Sequence, residues 1–278
     1  MTLTTQDKRA RFRTLHRQGC FVIPNPWDVG SARMLEGLGF QALATTSSGF
    51  AWSQGRADGG ASRAMVLDHL RTLAAATDLP VNADFESGFA ADPQGVAESV
   101  RMAVDTGVAG ISIEDSTGDA ADPIRDIAAA VERIRAARAA IDHCGGDTLL
   151  VGRAENFLWG RTDLEDTLAR LRAYSDAGAD CLYAPGIRTR QQIEAVVAAV
   201  APKPVNLLIG SASEFTLQDV AAMGVRRISV GGALARAAWG GFLRAARSIA
   251  EQGRFDEFAN AASGNELNAF FGKLHPSR

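Results

Sequence analysis

Carboxylates and one arginine stand where apolar runs end in this chain. Asp84 and Glu86 close VNADFESGF, Glu114 and Asp115 close GISIEDS, and Arg153 and Glu155 close LLVGRAEN. If these runs are neighbouring parallel strands, they lie about 4.8 Å apart, and Asp84, Glu86 and Glu114 converge on one point. Three carboxylates in a small volume need positive charge among them. An oxygen-only donor set selects a hard cation, Mg²⁺ or Mn²⁺. Capping of the following helices, or pairing with Arg153, is the plainer account of each acid taken alone. Arg153 suits bidentate binding of a carboxylate or phosphate, with an ion pair to Glu155 or Asp84 as the alternative. Ser47, Ser48 and Gly49 form a run of small residues whose amides could cradle an anion, or simply turn the chain. Gly231-Gly232 could likewise bind phosphate or permit close helix packing. Asp28 follows the first apolar run and Asn206 lies within the seventh. The four histidines (16, 69, 143 and 275) fall on expected helices or loops, so neither a His-ligated zinc nor a histidine base is expected. Cys20, Cys144 and Cys181 are too scattered for a disulfide framework or a CxxC site, and none is placed as a nucleophile.

The elements that must position these residues follow from a recurring pattern. LGFQALATTSS (38–48), TGVAGISIEDS (106–116), AGADCLYAPG (177–186) and MGVRRISVGG (223–232) each carry a Gly, one apolar residue, then a short apolar run. Gly39, Gly107, Gly178 and Gly224 are expected just past helix ends, where φ is positive. Their spacing suits two βα units, and FVIPN (21–25), LPVNADF (79–85), TLLVGRA (148–154) and KPVNLLIG (203–210) supply the intervening strands. Asp92-Pro93 should open one helix, and Thr162 with Glu165 forms a capping box for another. Eight βα units predict an α/β fold, a (β/α)8 TIM barrel. A doubly wound sheet is the alternative, but the first turn, PNPWDVGS, lacks GxGxxG. The expected organisation is one barrel domain over 1–278: a leading helix at 1–18, the barrel at 19–251 and a helical tail at 252–278. Phe255, Phe258, Leu267, Phe270, Phe271 and Leu274 in that tail should pack on the barrel or on a neighbouring subunit.

Composition narrows the classes. Across 278 residues, 29 Lys+Arg oppose 32 Asp+Glu for a net charge of −3, so no nucleic-acid partner is expected. No apolar run reaches the length of a membrane span and the N-terminus lacks a signal-peptide core, so no membrane partner and a cytoplasmic location are expected.

As a set, PNPWDVGSARMLEGLGFQALATTSSG, GRADG, VNADFESGF, GVAGISIEDS, VGRAENF and KPVNLLIG resemble the isocitrate lyase/phosphoenolpyruvate mutase superfamily over nearly the whole chain. The resemblance implies a modified barrel, a homo-oligomer (dimer or tetramer) and C-terminal helices exchanged between subunits. It implies that Asp84 is the direct Mg²⁺ ligand, and that Glu86 and Glu114 hold the metal partly through water. Ser47, Ser48 and Gly49 correspond to the loop gripping a 2-oxo-carboxylate, Arg153 to the substrate-binding arginine and Asn206 to a strand-7 substrate contact. Asp58 in GRADG corresponds to a catalytic acid on the segment after strand 2. The chain departs from the pattern in three places. After strand 4 it has DSTGDAADPIRD instead of a Lys-Cys-Gly-His-like loop, Gly186 follows the strand-6 proline where a Glu is common, and Leu208 replaces a Thr or Ser. The chain therefore resembles a branch lacking the cysteine loop. The expected function is Mg²⁺-dependent lysis of a small 2-oxo or 2-hydroxy acid through an enolate, by decarboxylation or C–C cleavage of an oxaloacetate-like substrate. C–P bond chemistry of the phosphonopyruvate type, a 2-methylisocitrate lyase-like reaction and non-catalytic carboxylate binding are the alternatives.

Overall fold

The computed structural model of the chain describes residues 3–274. Eight parallel strands are present: β1 (Phe21–Ile23), β2 (Leu43–Ala44), β3 (Val81–Asp84), β4 (Gly110–Glu114), β5 (Leu149–Arg153), β6 (Cys181–Tyr183), β7 (Val205–Leu208) and β8 (Arg227–Ser229). They pair in the order β1-β8-β7-β6-β5-β4-β3-β2. The remaining seam is bridged by the Ala44 amide donating to Pro24 O at 3.1 Å and Asn25 Nδ2 donating to Thr45 O at 2.8 Å. The fold is thus a (β/α)8 barrel, not an open doubly wound sheet.

Helix α1 (Thr5–Leu15) precedes β1, and α2 (Val29–Gly37) follows it. The β2–β3 connection holds α3 (Ser47–Ser53) and α4 (Arg63–Ala76). Single helices α5 (Pro93–Val104), α6 (Ile127–His143), α7 (Leu164–Asp176), α8 (Arg190–Val200) and α9 (Leu217–Ala222) link the later strands. After β8 come α10 (Ala233–Gln252), a 3₁₀ turn (Asp256–Asn260) and α11 (Gly264–Leu274). The glycines of the repeat do what the pattern requires: Gly39, Gly107, Gly178 and Gly224 have φ of 89°, 89°, 108° and 87°. Asp92 caps α5 by accepting from the Gly95 amide, with Pro93 in its first turn. The cap of α7 is Asp163, not Thr162; its carboxylate accepts from the Glu165 and Asp166 amides. Asp28 is likewise a cap, accepting from the Ser31 amide at the start of α2.

Strand alternation divides the core into two layers. Outward-facing Ile111, Ile113, Leu150, Leu182, Leu207 and Ile228 meet helix residues such as Val96, Val100, Ile134, Leu171 and Val196. Inward-facing Phe21, Ile23, Ala42, Ala44 and Leu149 meet Phe12 of α1, which plugs the amino-terminal end of the barrel. Two basic residues tie α1 down: Lys8 donates to Ala74 O and Thr77 O, and Arg9 donates to Val104 O and Val108 O.

The tail is divided in its packing. Phe270 of α11 lies against Gly37 of α2, where no side chain could stand. Phe255 and Phe258 stay 62% and 55% exposed, and on α10 Phe242 is 60% exposed. His275 lies outside the described residues.

Candidate active site

Strand register assembles the site at the carboxyl end of the barrel. Glu114 pairs with Arg153, Arg153 with Tyr183, Tyr183 with Asn206, and Asn206 with Arg227. These inward-facing positions form one tilted row, and Asp84 lies beside Ser112 on the adjoining strand pair. A chamber of about 200 Å³ opens here, and its lining includes Ser47, Ser48, Asp58, Asp84, Arg153, Asn206 and Arg227; Glu86 and Glu114 stand outside that lining, with Glu114 behind Arg153. Among the described residues no Cys, His or Lys lines the chamber.

Arg153 is the hub. Its Nη1 lies 3.0 Å from Asp84 Oδ1 and 3.5 Å from Glu114 Oε2, and its Nε donates to Glu155 Oε1. Its Nη2 group makes no hydrogen bond to protein among the described residues. The guanidinium also sits 5.1 Å over the Tyr183 ring. The ion pairs set out as the alternative for Arg153 are therefore formed, and the arginine still faces the chamber.

The acids outnumber this cation. Burial, reinforced by the charges of Asp84 and Asp58, pushes Glu86 up to about 7. Burial raises Glu114 well above the carboxylate range and raises Glu155 too, with Arg153 only partly opposing the shift. Partial burial and the Asp84 charge also raise Asp58. Burial alone would lower Arg153, but Glu155, Glu114 and Asp84 more than reverse that, and it stays charged. The backbone adds strain: Glu86 has φ 47°, a left-handed conformation that a non-glycine residue adopts at a cost on the order of 1 kcal/mol or more. Its carbonyl accepts from the Glu114 amide at 3.0 Å, which fixes the two acids relative to each other.

Among the described residues no three Asp, Glu, His or Cys side chains already form a metal cage. The donor chemistry nonetheless fits a hard cation. Asp84, Glu86 and Glu114 offer oxygen alone, and burial and mutual repulsion hold protons on Glu86 and Glu114 that a cation would displace.

The Ser47–Gly49 segment is not a loop but the first turn of α3, capped by Thr46. The Ser47 amide donates to Asp84 Oδ2 at 2.9 Å and the Gly49 amide to Thr46 Oγ1 at 3.2 Å. The Ser48 amide has no protein acceptor among the described residues. At Gly49 a Cβ would come within 2.6 Å of the Thr46 methyl, so close packing fixes the glycine. Gly232 is fixed the same way, against Ser48 Oγ and the Trp52 ring. Gly231 donates its amide to Asn25 Oδ1, which also accepts from Val230. Asn206 is fully buried; its Oδ1 accepts from Arg227 Nε and its Nδ2 donates to Ser229 Oγ.

Two contributors escaped the sequence reading, and a third, Asp115, was noted only as a strand-end acid. Asn25 stitches the ends of β1, β2 and β8. Tyr183 stacks against Arg153. Asp115, 2% exposed, accepts from Tyr174 Oη, Arg170 Nη1 and the Glu155 amide, and so anchors Glu155. The segment after β4 folds back on itself through a Ser116–Ile124 bridge and lines neither the chamber nor the larger cavity above it.

Residues 12–250 match the family model described as phosphoenolpyruvate phosphomutase. The chain belongs to the phosphoenolpyruvate phosphomutase family. It is an enzyme of the phosphoenolpyruvate mutase/isocitrate lyase superfamily. An uncharacterised protein of Mycobacterium tuberculosis is 32% identical, over 86% of this chain and 89% of its own length. An oxaloacetate decarboxylase of Paraburkholderia xenovorans is 30% identical, over 81% and 75%. Among solved structures, one from Burkholderia cenocepacia J2315, provisionally named a lyase/mutase, is 49% identical with a TM-score of 0.92, covering 96% of each chain. An oxaloacetate acetylhydrolase bound to its product oxalate is 26% identical with a TM-score of 0.85, covering 98% of this chain and 96% of its own. Among the described residues no helix of this family member is long and apolar enough to cross a membrane.

Proposed function

We propose that this enzyme decarboxylates an oxaloacetate-like 2-oxo acid in a divalent-metal-dependent reaction. The observation that carries the proposal is Arg153 facing a small polar chamber, beside more carboxyl groups than it can neutralise and with no Cys, His or Lys in the wall among the described residues. The chain's similarity to an oxaloacetate decarboxylase and an oxaloacetate acetylhydrolase supports the substrate class. Asp84, Glu86 and Glu114 would hold Mg²⁺ or Mn²⁺, which when bound supplies electrophilic stabilisation of charge on the 2-oxygen.

The chain's own groups account for the rest. Arg153 Nη2 and the Ser48 amide bind the C1 carboxylate. Arg153 and Asn206 orient the 2-oxo group, so that charge developing there meets donors already in place. The C3–C4 bond then breaks, CO2 leaves, and the electron pair is delocalised from C3 onto the 2-oxygen. Asp58, at the mouth and raised in proton affinity, stands where it can pass a solvent proton to C3.

Purified enzyme given oxaloacetate and Mg²⁺ should form pyruvate above the uncatalysed rate. EDTA should abolish this and Mn²⁺ or Mg²⁺ restore it. Mg²⁺ should also raise the unfolding temperature of the wild type but not of Asp84→Asn. Oxalate and acetate as products would replace decarboxylation with hydrolytic cleavage. Turnover of phosphonopyruvate alone would favour C–P chemistry, and ligand binding without turnover would leave a carboxylate-binding protein.

The exposed aromatics of α10 and the tail support assembly into a homodimer or homotetramer. Three free, separate cysteines fit a reducing cytoplasm.

A further inference from the structure

The turn from β3 into α5 (residues 85–92) carries Glu86 in an unusual backbone. Glu86 and Phe89 have φ of 47° and 54°, so two non-glycine residues stand in the left-handed region, with Gly88 at 84° between them. Such conformations persist only where their surroundings over-determine them. The bend decides where Glu86 points. An extended chain would carry it about 6–7 Å beyond Asp84 along the strand. The left-handed turn instead brings its carbonyl onto the Glu114 amide and its carboxyl within the field of Asp84.

Arg133, 3% exposed on α6, supplies the restraint. Its Nη2 donates to Ser87 O at 2.5 Å and Ala90 O at 2.8 Å, and its Nη1 to Ala91 O at 3.1 Å. None of these carbonyls accepts from a backbone amide among the described residues. Arg133 forms no ion pair among them either. A buried guanidinium without a carboxylate is costly, and here three turn carbonyls take the place of the counter-ion. Burial, reinforced by Arg125, lowers its pKa to about 10, so the fork stays charged at neutral pH. The apolar side of the turn is packed as well. The Phe85 and Phe89 rings meet edge-on with centroids 5.1 Å apart, and a Cβ on Gly88 would lie 3.1 Å from Val96.

We propose that Arg133 is a positioning residue for the metal site: by gathering the carbonyls of Ser87, Ala90 and Ala91 it keeps the turn left-handed and Glu86 directed toward Asp84 and Glu114, and so sets the affinity for the divalent cation. The inference rests on the metal-dependent reading of the site and deepens it. Arg133 does not line the chamber, so its influence passes through the turn. A purely structural brace between α6 and the turn would lower stability and leave the cation affinity of the folded protein unchanged.

The test titrates Mn²⁺ into ligand-free enzyme by calorimetry, with a cooperative thermal transition as the check that each variant is folded. Arg133→Met keeps the bulk of the side chain and removes all of its donors. It should weaken Mn²⁺ binding about 10- to 100-fold, as loss of a group that orients a metal ligand typically does. Arg133→Lys, which retains a charged donor, should recover part of that loss. Glu86→Gln should weaken binding by itself, and adding Arg133→Met to it should cost no more than about a further twofold, because both changes remove the same ligand. Wild-type affinity in folded Arg133→Met would overturn the clamp and leave the metal site standing. Losses that multiply in the double variant would also overturn it, since Arg133 would then act elsewhere than on Glu86. Should Arg133→Met fail to fold, Arg133→Gln, with one short amide in place of the fork, is held to the same outcomes. If the wild type itself binds no Mn²⁺, the metal-dependent reading fails and the role of Arg133 fails with it.

Discussion

Two arginines point into this barrel, on strands β5 and β8, and their surroundings are opposite. Arg153 is ringed by Asp84, Glu114 and Glu155, and its guanidinium is held more firmly protonated than usual. Arg227, 2% exposed, has no carboxylate partner among the described residues, and burial lowers its pKa. It donates instead to the amide oxygens of Asn206 and Asn82 and faces His16 Nε2 at 3.4 Å. Around Arg153 there is therefore more carboxyl than one cation can ionise, while Arg227, deeper in the same chamber wall, is a single positive charge solvated by neutral acceptors. Acids held at raised proton affinity beside an opening are a means of binding something; solvated charge between strands is a means of holding them together.

The largest expected effect is at the mouth. Arg153→Met should lower kcat/KM for oxaloacetate by at least about 10²-fold, the usual consequence of removing a donor aimed at developing charge. A loss under tenfold, measured by pyruvate formation, would end its assignment as the substrate arginine.

The next effect is at the floor and depends on pH. His16 Nδ1 donates to Phe12 O, and burial together with Arg227 lowers its pKa to about 3. The unfolded chain takes up that proton near pH 6.5, so this contribution is intact above 6.5 and fades as pH falls toward 3. Between pH 7 and 4.5 the stability advantage of wild type over His16→Gln should shrink by roughly 2–3 kcal/mol in urea unfolding. An advantage that does not change with pH would mean that His16 is not held neutral.

The smallest effect sharpens the contrast. Arg227→Met strands two amide oxygens but also removes a buried charge, so it should cost about 1–2 kcal/mol of stability. It should leave kcat/KM within tenfold. A hundredfold loss of activity would make the two arginines one functional unit and erase the distinction.

The strands were legible because each Gly-plus-apolar repeat marks a helix end followed by a buried strand, and that local grammar survives without tertiary context. Asp84, Glu114 and Arg153 were legible because barrel geometry brings strand ends together. The rest depends on directions that spacing does not encode. Thr162 and Asp163 are both good caps, and only the path of the chain into α7 selects the second. Asp28 had the composition of a site residue and the geometry of a cap. Ser47–Gly49 looked like a loop because its small residues have weak helix propensity; Thr46 and the contact to Asp84 hold it in a turn of helix. Tyr183 and Arg227 sit on strands only three residues long, too short for alternation to show which side faces inward.

The plug at the barrel floor constrains the order in which the protein can be made. Phe12 and its helix leave the ribosome before any strand, yet Arg9 is anchored by Val108 and Asp147, 99 and 138 residues later. The first helix must stay unsatisfied until more than half of the chain has emerged. During that interval its apolar face is the surface a chaperone would meet. Completion of β5, rather than of β1, is the moment at which the amino terminus acquires its place.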